Sequence, residues 1–177
     1  PVTAIPYYAR ANRDAGFMAV WLPEDVDIAA PLPMPTIASE SQASASVNNA
    51  DTCDALNDQI EPANSGDQNI PRCTWWDHKG AEEWVQYDFK TPCAVSGVEV
   101  YWFDDTGIGQ CRVPKSWRVL YRANGKWKPV KSASAPGVEK DQFNTVRFKP
   151  VTTNALRIEV KLQAGFSGGV LEWKVLE

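Results

Sequence analysis

One segment of the chain combines flat aromatic rings with charged and polar side chains. It reads NIPRCTWWDHKGAEEW, contains two adjacent tryptophans and the only histidine, and shows no strand-like alternation. An aromatic ring can cover the apolar face of a sugar, while carboxylate and imidazole groups bind its hydroxyls. We therefore predict ligand-binding residues at Trp75, Trp76, Asp77 and His78. The alternative is that one tryptophan fills the core and the other packs on the loop.

A second polar segment, WFDDTGIGQCRVP, follows a predicted strand. Its glycines relax the backbone, and loops at one end of a β-sandwich commonly hold binding groups. We predict Asp104, Asp105 and Arg112 as further ligand-binding residues. The alternative is an internal ion pair between an aspartate and Arg112 that shapes the loop. Adjacent residues of an extended chain point to opposite sides, so the two aspartates do not suit the carboxylate pair of glycoside hydrolysis.

A third segment, DALNDQIEPANSGD, is rich in carboxylate, amide and carbonyl oxygens. Calcium prefers about six to eight hard oxygen ligands, which such a turn can supply. The segment lacks the spacing of an EF-hand loop. Two interpretations therefore stay open, a calcium site and a hydrogen-bonded turn without a metal.

The composition excludes several classes of partner and site. The net charge is -4 and the 18 basic residues are scattered, which argues against nucleic acid as a partner. No apolar run approaches the ~18 residues of a membrane-spanning helix. One histidine and the absence of any CxxC pair argue against zinc. No nucleophile, base and orienting group stand at a suggestive spacing, so we do not expect an enzyme active site.

The four cysteines leave their redox state open. Cys53, Cys73, Cys93 and Cys111 could form two disulfides by any of three pairings in an oxidising compartment. They could equally be buried thiols, since free cysteine packs as a small apolar residue.

Alternating apolar residues predict short strands from residue 82 to the end of the chain. The Asn124-Gly125 pair favours a tight hairpin, and no amphipathic helix separates the strands. This pattern predicts an all-β fold, an antiparallel β-sandwich or barrel. The strand segments are EWVQYDF, VSGVEVYWF, SWRVLYR, KWKPV, NTVRFKP, ALRIEVKL and VLEWKVL.

Changes in composition divide the chain into three regions. Residues 1–23 end in FMAVWL, a strand candidate that is apolar on both faces. Residues 24–35 contain three closely spaced prolines and are predicted to be an extended linker. Residues 36–177 carry the sandwich pattern.

The order of features along residues 36–177 resembles the F5/8 type C, or discoidin, domain. The chain begins this region with SESQASAS, continues through ALND, the tryptophan pair, EWVQYDF, VSGVEVYWFDD and GKW, and ends with ALRIEV and GGVLEWKV. The resemblance implies a galactose-binding-domain-like jelly roll, the fold of many carbohydrate-binding modules. It also implies a structural calcium ion held by Asp58 and Glu172, with backbone oxygens near Leu56 and Glu61. The usual Asp-Gly is replaced here by Asp58-Gln59.

The opening AIPYYARANRDAGFMAVWLP is similar to the region that follows the catalytic barrel in β-L-arabinofuranosidase-type glycoside hydrolases of families 127 and 146. This resemblance implies that the catalytic residues lie upstream and that the chain itself is not an enzyme. We therefore expect a carbohydrate-binding module of an extracellular or periplasmic hydrolase. Its expected partners are an arabinose- or galactose-containing plant glycan and the catalytic domain of the same polypeptide. The alternative is a structural domain that packs on the barrel and binds no glycan.

Overall fold

The computed structural model describes residues 5–8, 17–20, 33–47, 53–132 and 135–177, the first two of these ranges as backbone only. The chain divides into two compact units, Pro1–Met34 and Pro35–Glu177. In the first unit, strand β1 (Ile5–Tyr8) pairs antiparallel with strand β2 (Phe17–Val20). Most of the predicted linker lies outside the described residues.

The second unit consists of strands and one short 3₁₀ helix in the part of the chain that is described. The 3₁₀ helix spans Cys53–Leu56. No helix among the described residues is long and apolar enough to cross a membrane. The strands are β3 (Gln42–Ala45), β4 (Cys73–Thr74), β5 (Glu82–Phe103), β6 (Ser116–Ala123), β7 (Lys126–Pro129), β8 (Phe143–Lys161) and β9 (Gly169–Leu176).

Two long strands, β5 and β8, run through both layers of an antiparallel sandwich. The first part of β5 lies between β3 and the second part of β8, and the layer continues through β6 to β7. The second part of β5 lies between β9 and the first part of β8, with β4 at the far edge of β9. The register of β5 shifts between Asp88 and Cys93, where Pro92 has no amide hydrogen to donate. The predicted all-β sandwich is confirmed.

The core lies between the layers and is formed by the alternate residues that the sequence pattern predicts. From the first layer, the predicted apolar residues of β5 and β8 are buried, among them Val85, Tyr87 and Ile158. From the second layer come Trp102 and Trp173, both fully buried. The Asn124-Gly125 hairpin between β6 and β7 is also confirmed, because both residues have positive φ angles of 51° and 73°.

Tyr87 joins three elements at the centre of this core. Its ring stacks on Trp173 of β9 with centroids 3.9 Å apart and planes 10° from parallel. Its hydroxyl lies 2.5 Å from the carbonyl oxygen of Leu56 and 2.9 Å from that of Trp173, so one proton serves two acceptors. Burial raises the pKa of Tyr87 well above its usual value, so the hydroxyl keeps this proton. The 3₁₀ helix, β5 and β9 are thereby tied together.

We expect Tyr87→Phe to lower the free energy of unfolding by about 1–3 kcal/mol, because two buried carbonyl groups lose their donor. Urea denaturation followed by tryptophan fluorescence measures this change. Tyr121→Phe, on a partly exposed ring of β6, is the matched control and should change stability by less than ~0.5 kcal/mol. Equal effects from the two substitutions would contradict the anchoring role of Tyr87.

Candidate functional site

Backbone hydrogen bonds bring three loops together at one end of the sandwich. The amide of Trp75 donates to Gly168 O at 3.0 Å, and the amide of Gly80 donates to Phe166 O at 3.1 Å. The amide of Arg112 donates to Ser167 O at 3.0 Å. The loop between β8 and β9 therefore sits between the two segments in which the sequence analysis predicts ligand-binding residues.

Trp76 presents an aromatic ring to solvent at this end. The residue is 41% exposed, and the ammonium group of Lys79 lies 5.1 Å from its ring centroid. Lys79 also donates a hydrogen bond to the side-chain oxygen of Gln110 in the neighbouring loop. The indole thus has a cationic neighbour that is itself held in place, and it can still offer ring surface to a ligand.

His78 lies two residues after Trp76 in the same loop, and a buried carboxylate fixes its imidazole. Its Nδ1 lies 2.6 Å from Glu83 Oε1, and the side chains of the two residues are 48% and 5% exposed. The other oxygen of Glu83 accepts a hydrogen bond from the Ser46 hydroxyl, which in turn accepts one from the amide of Trp84 at 3.0 Å. Because Nδ1 is engaged, Nε2 is the nitrogen that His78 offers to a ligand. Asp77, between these two residues, is exposed.

Trp75 occupies the core instead of the loop surface. It is fully buried, and its indole Nε1 donates to the carbonyl oxygen of Trp84 at 3.3 Å. The residue therefore has no ring face to offer, which corrects its assignment to the ligand-binding set. Of the two adjacent tryptophans, one fills the core and the other stays at the surface.

The Asp104 carboxylate is also bound to other groups of the protein. Its side chain is buried and accepts hydrogen bonds from Lys140 Nζ at 2.7 Å and from the amide of Val113 at 3.1 Å. Burial raises the pKa of Asp104, but the hydrogen bonds from Lys140, Thr106 and Val113 outweigh it, so the pKa lies below its usual value. Its oxygens are occupied, so this carboxylate fastens the loop rather than facing a ligand.

Asp105 and Arg112 form the internal pair that the sequence analysis gave as the alternative. Asp105 Oδ1 lies 3.4 Å from Arg112 Nη1 and accepts a hydrogen bond from the Cys111 amide at 2.8 Å. A Cβ at Gly109 would stand 2.1 Å from Asp105 Oδ2, so any other residue there would displace the Asp105 carboxylate. The arrangement holds the guanidinium of Arg112 4.5 Å from the Phe166 ring. Arg112 and Phe166 are both partly exposed and form a second cation–aromatic pair at this end.

The layer made of β3, the first part of β5, the second part of β8, β6 and β7 is the five-stranded layer. A cavity of about 450 Å³ opens on its outer face, next to these loops. Trp84 forms part of its wall, and the Arg118–Glu159 ion pair, with nitrogen and oxygen 2.6 Å apart, lies across from it in the register of the strands. The sequence analysis missed this surface, although Trp84 alternates with the buried Val85 and so must face outward. The cavity is lined by Glu82, Glu83, Trp84, Ser116, Trp117, Arg118, Glu159, Val160 and Lys161.

The predicted calcium ligands Asp58 and Glu172 lie close enough for their charges to interact, Asp58 partly exposed in the turn after the 3₁₀ helix and Glu172 in the core. Glu172 is fully buried, and its Oε2 has no hydrogen-bond donor among the described residues. Burial, and then the charge of Asp58, raise the pKa of Glu172 to about 8, and burial also raises the pKa of Asp58. Because the Glu172 pKa is about 8, this carboxyl group keeps its proton at neutral pH. A cation could take the place of that proton.

The surroundings of this carboxyl pair fit a hard cation only in part. The carbonyl oxygen of Leu56 is nearby in the same core but already accepts the Tyr87 hydroxyl. The carboxylate of Glu61 pairs with Lys174, so only its backbone oxygen remains for a metal. Within the described ranges, no three Asp, Glu, His or Cys side chains cluster around one point. Two carboxylates and backbone oxygens are thus the donor set that the protein offers.

Comparison with protein families matches two parts of the chain. Residues 38–173 match the F5/8 type C domain, and residues 1–23 match the glycoside hydrolase family 127 C-terminal domain. Both matches agree with the resemblances on which the sequence analysis relied.

Several solved structures share the fold of the second unit. A chain of the Streptococcus pneumoniae β-galactosidase BgaA is 23% identical, with a TM-score of 0.61 over 77% of this chain and 92% of that one. The family 32 carbohydrate-binding module of C. perfringens NanJ, in complex with galactose, is 17% identical, with a TM-score of 0.58 over 78% and 95%. Chitosan-binding module 1 of a Paenibacillus sp. IK-5 chitosanase/glucanase is 14% identical, with a TM-score of 0.58 over 80% and 98%. At these identities the likeness shows the fold alone.

The raised pKa of Glu172 predicts how stability depends on pH in metal-free buffer. The folded chain holds a proton there up to about pH 8, whereas the unfolded chain releases it near the usual value of 4.5. The stability that this group contributes is fully present below pH ~4.5 and is lost as the pH rises toward 8. We expect urea denaturation with a chelator present to show this loss, on the order of a few kcal/mol.

Glu172→Gln should flatten this part of the pH profile, because the amide does not titrate. Glu139→Gln, on an exposed carboxylate, is the matched control and should leave the profile of the parent intact. Parallel profiles for the parent and Glu172→Gln between pH 5 and 8 would rule out a buried, protonated Glu172.

Proposed function

The chain belongs to the F5/8 type C domain family, and we propose that it is a non-catalytic carbohydrate-binding module of a glycoside hydrolase. The observation that carries this proposal is the exposed ring of Trp76 in the same loop as His78, whose imidazole is held by the buried Glu83. The match of residues 1–23 to the C-terminal domain of a hydrolase family supports the link to an enzyme.

The three loops that meet at one end of the sandwich form a surface that we call the loop end. It can bind a sugar by the two kinds of contact that carbohydrates require. The Trp76 ring supplies an apolar surface for the C–H face of a sugar, and Phe166 supplies a second, partly exposed ring. His78 Nε2 and the Asp77 carboxylate supply polar groups for hydroxyls. Arg112 donates hydrogen bonds to Cys111 O and Gly109 O within its own loop. We therefore expect it to contribute fewer hydrogen bonds to the sugar than His78 and Asp77 do. A surface this shallow contacts few sugar rings, and we expect weak binding.

We propose a plant-type glycan that contains arabinose or galactose as the ligand. Support comes from the family 127 match in the first segment and from the NanJ module, which shares the fold and was solved with galactose. A module that binds polymeric glycan works where the polymer is, so we place the protein outside the cytoplasm. The catalytic domain of the same polypeptide is then its covalent partner.

A structural role is the second candidate, and the outer face of the five-stranded layer favours it. The guanidinium of Arg157 lies 4.2 Å from the Trp84 ring and 4.5 Å from the Trp127 ring, and both tryptophans are half-buried. A neighbouring domain could cover such a face. In that case the module would pack on the catalytic barrel and bind no glycan.

We also propose that Asp58 and Glu172 hold a structural Ca²⁺ ion, with backbone oxygens of Leu56 and Glu61 as further ligands. The unsatisfied oxygen of the buried Glu172 and the electrostatic interaction of this carboxyl group with the partly exposed Asp58 support this assignment. A bound divalent cation would neutralise both carboxylates and fix the turn after the 3₁₀ helix onto β9.

A glycan-binding screen followed by calorimetry tests the first proposal. We expect the parent chain to bind an arabinose- or galactose-containing oligosaccharide, and Trp76→Ala to weaken binding about tenfold or more, because the stacking face is lost. His78→Ala should weaken binding less, since one polar contact is removed. Trp127→Ala, a half-buried tryptophan on β7, is the matched control and should bind like the parent.

The outcomes of this experiment separate the alternatives. Retained affinity in Trp76→Ala combined with loss in Trp84→Ala would place the site in the cavity on the sheet face. No binding by a folded parent to any glycan of the screen would favour the structural role.

Calcium is tested by its effect on thermal stability. A ligand that binds only the folded state raises the melting temperature by mass action, so a chelator should lower the melting temperature of the parent. Glu172→Gln should abolish the response to calcium, whereas Glu139→Gln should retain it. An unchanged melting curve after exhaustive chelation and after calcium addition would leave a carboxyl pair that binds only a proton.

A further inference from the structure

Two of the four cysteines lie side by side in the core although they are far apart in sequence. Cys53 belongs to the 3₁₀ helix and Cys73 to strand β4, and both pack in the same hydrophobic cluster. The 3₁₀ helix and β4 are in direct contact, and the Cys73 thiol, as a hydrogen-bond donor, is the largest influence on the pKa of Cys53. All four cysteines are thiols in this structure.

The surrounding structure holds the two thiols in this position. Cys73 pairs with Val170 of β9, and the next strand residue, Thr74, pairs with Gly169. On the other side, the carbonyl oxygen of Leu56 accepts the Tyr87 hydroxyl and fixes the end of the 3₁₀ helix. Neither element needs to move far for the sulfur atoms to bond, since the 3₁₀ helix and β4 already pack against each other.

We propose that Cys53 and Cys73 form a disulfide that closes the segment between them when the chain meets a disulfide oxidant. This inference does not depend on glycan or calcium binding. It assigns a modification site to the core: one disulfide between Cys53 and Cys73, with the other two cysteines kept as thiols.

The two cysteines have different parts in the reaction. Cys53 is 9% exposed and Cys73 1%, so Cys53 is the thiol that a small oxidant reaches first. The hydrogen bond from Cys73 lowers the pKa of Cys53 to about 7, which favours the nucleophilic thiolate. Cys73 lies behind it and resolves the mixed disulfide that forms.

With oxidised glutathione as the oxidant, the steps balance as two thiol–disulfide exchanges. The Cys53 thiolate attacks one sulfur of the glutathione disulfide, and a glutathione thiolate leaves. The Cys73 sulfur, after losing its proton, attacks the Cys53 sulfur of the mixed disulfide and releases the second glutathione thiolate. The protons of the two cysteine thiols end on two glutathione molecules. The protein dithiol is oxidised, and the glutathione disulfide is reduced.

The other two cysteines differ in ways that keep them as thiols. Cys111 is buried at the loop end, and burial raises its pKa to about 11, so little thiolate is present. Cys93 lies at the end of the register shift in β5, and burial raises the pKa of its thiol as well. They belong to different hydrophobic clusters and serve as internal controls for selectivity.

The test is a peptide map of the full chain under defined redox conditions. The reduced protein is incubated with a mixture of oxidised and reduced glutathione, quenched with iodoacetamide and digested without reduction. We expect loss of two hydrogen atoms from the intact mass, one cross-linked peptide joining Cys53 and Cys73, and alkylated Cys93 and Cys111. Recovery of Cys53 and Cys73 as alkylated thiols, or Cys53 held as a stable glutathione adduct, would overturn the proposal. So would a cross-link to Cys93 or Cys111.

Thermal denaturation gives a second readout on the same samples. The cross-link restricts the unfolded chain, so the oxidised parent should melt about 5–10 °C above the reduced parent. Cys53→Ser and Cys73→Ser should lose this redox-dependent difference, while Cys93→Ser should keep it. An equal difference in Cys53→Ser and the parent would show that the stabilisation has another origin.

Discussion

The hydroxyl of Tyr87 is the contact on which the arrangement of the second unit depends. Through one proton it holds the end of the 3₁₀ helix and the backbone of β9 against β5. Glu172 lies next to Trp173 on β9, and Asp58 follows Leu56 by two residues. The hydroxyl therefore joins the two backbone segments that carry the carboxyl pair. The Cys53–Cys73 contact follows from the same placement of the 3₁₀ helix.

The loop end depends on a different constraint, which is the backbone pairing of three loops. The loop between β8 and β9 accepts and donates hydrogen bonds to both of its neighbours, so the surface is built from main-chain contacts. Buried or partly buried carboxylates then position the side chains. Glu83 orients His78, Asp105 holds Arg112, and Asp104 fastens its own loop to Lys140. A prepared surface of this kind spares a ligand the entropic cost of ordering it.

The sequence predicted the strands because the alternation of apolar residues repeats the two faces of a sheet, as in the stretch from Leu156 to Leu162. It could not decide between Trp75 and Trp76, since adjacent residues of the same type carry no signal for which one the loop turns inward. Lys140, the partner of Asp104, is 36 residues further along the chain, after strands β6 and β7, and only the folded chain reveals the pair. The outward position of Trp84 follows from the same alternation, because the next residue, Val85, is buried.

The most direct measurement of the central claim, that the loop end is a sugar-binding surface, is an NMR titration of the tryptophan indole NH groups with an arabinose- or galactose-containing oligosaccharide. The account predicts a progressive shift of the Trp76 signal, together with the His78 ring signals. The NH signals of the buried Trp102 and Trp173 indoles should not shift. Shifts confined to Trp84 and Trp127, or no shift at saturating ligand, would contradict it.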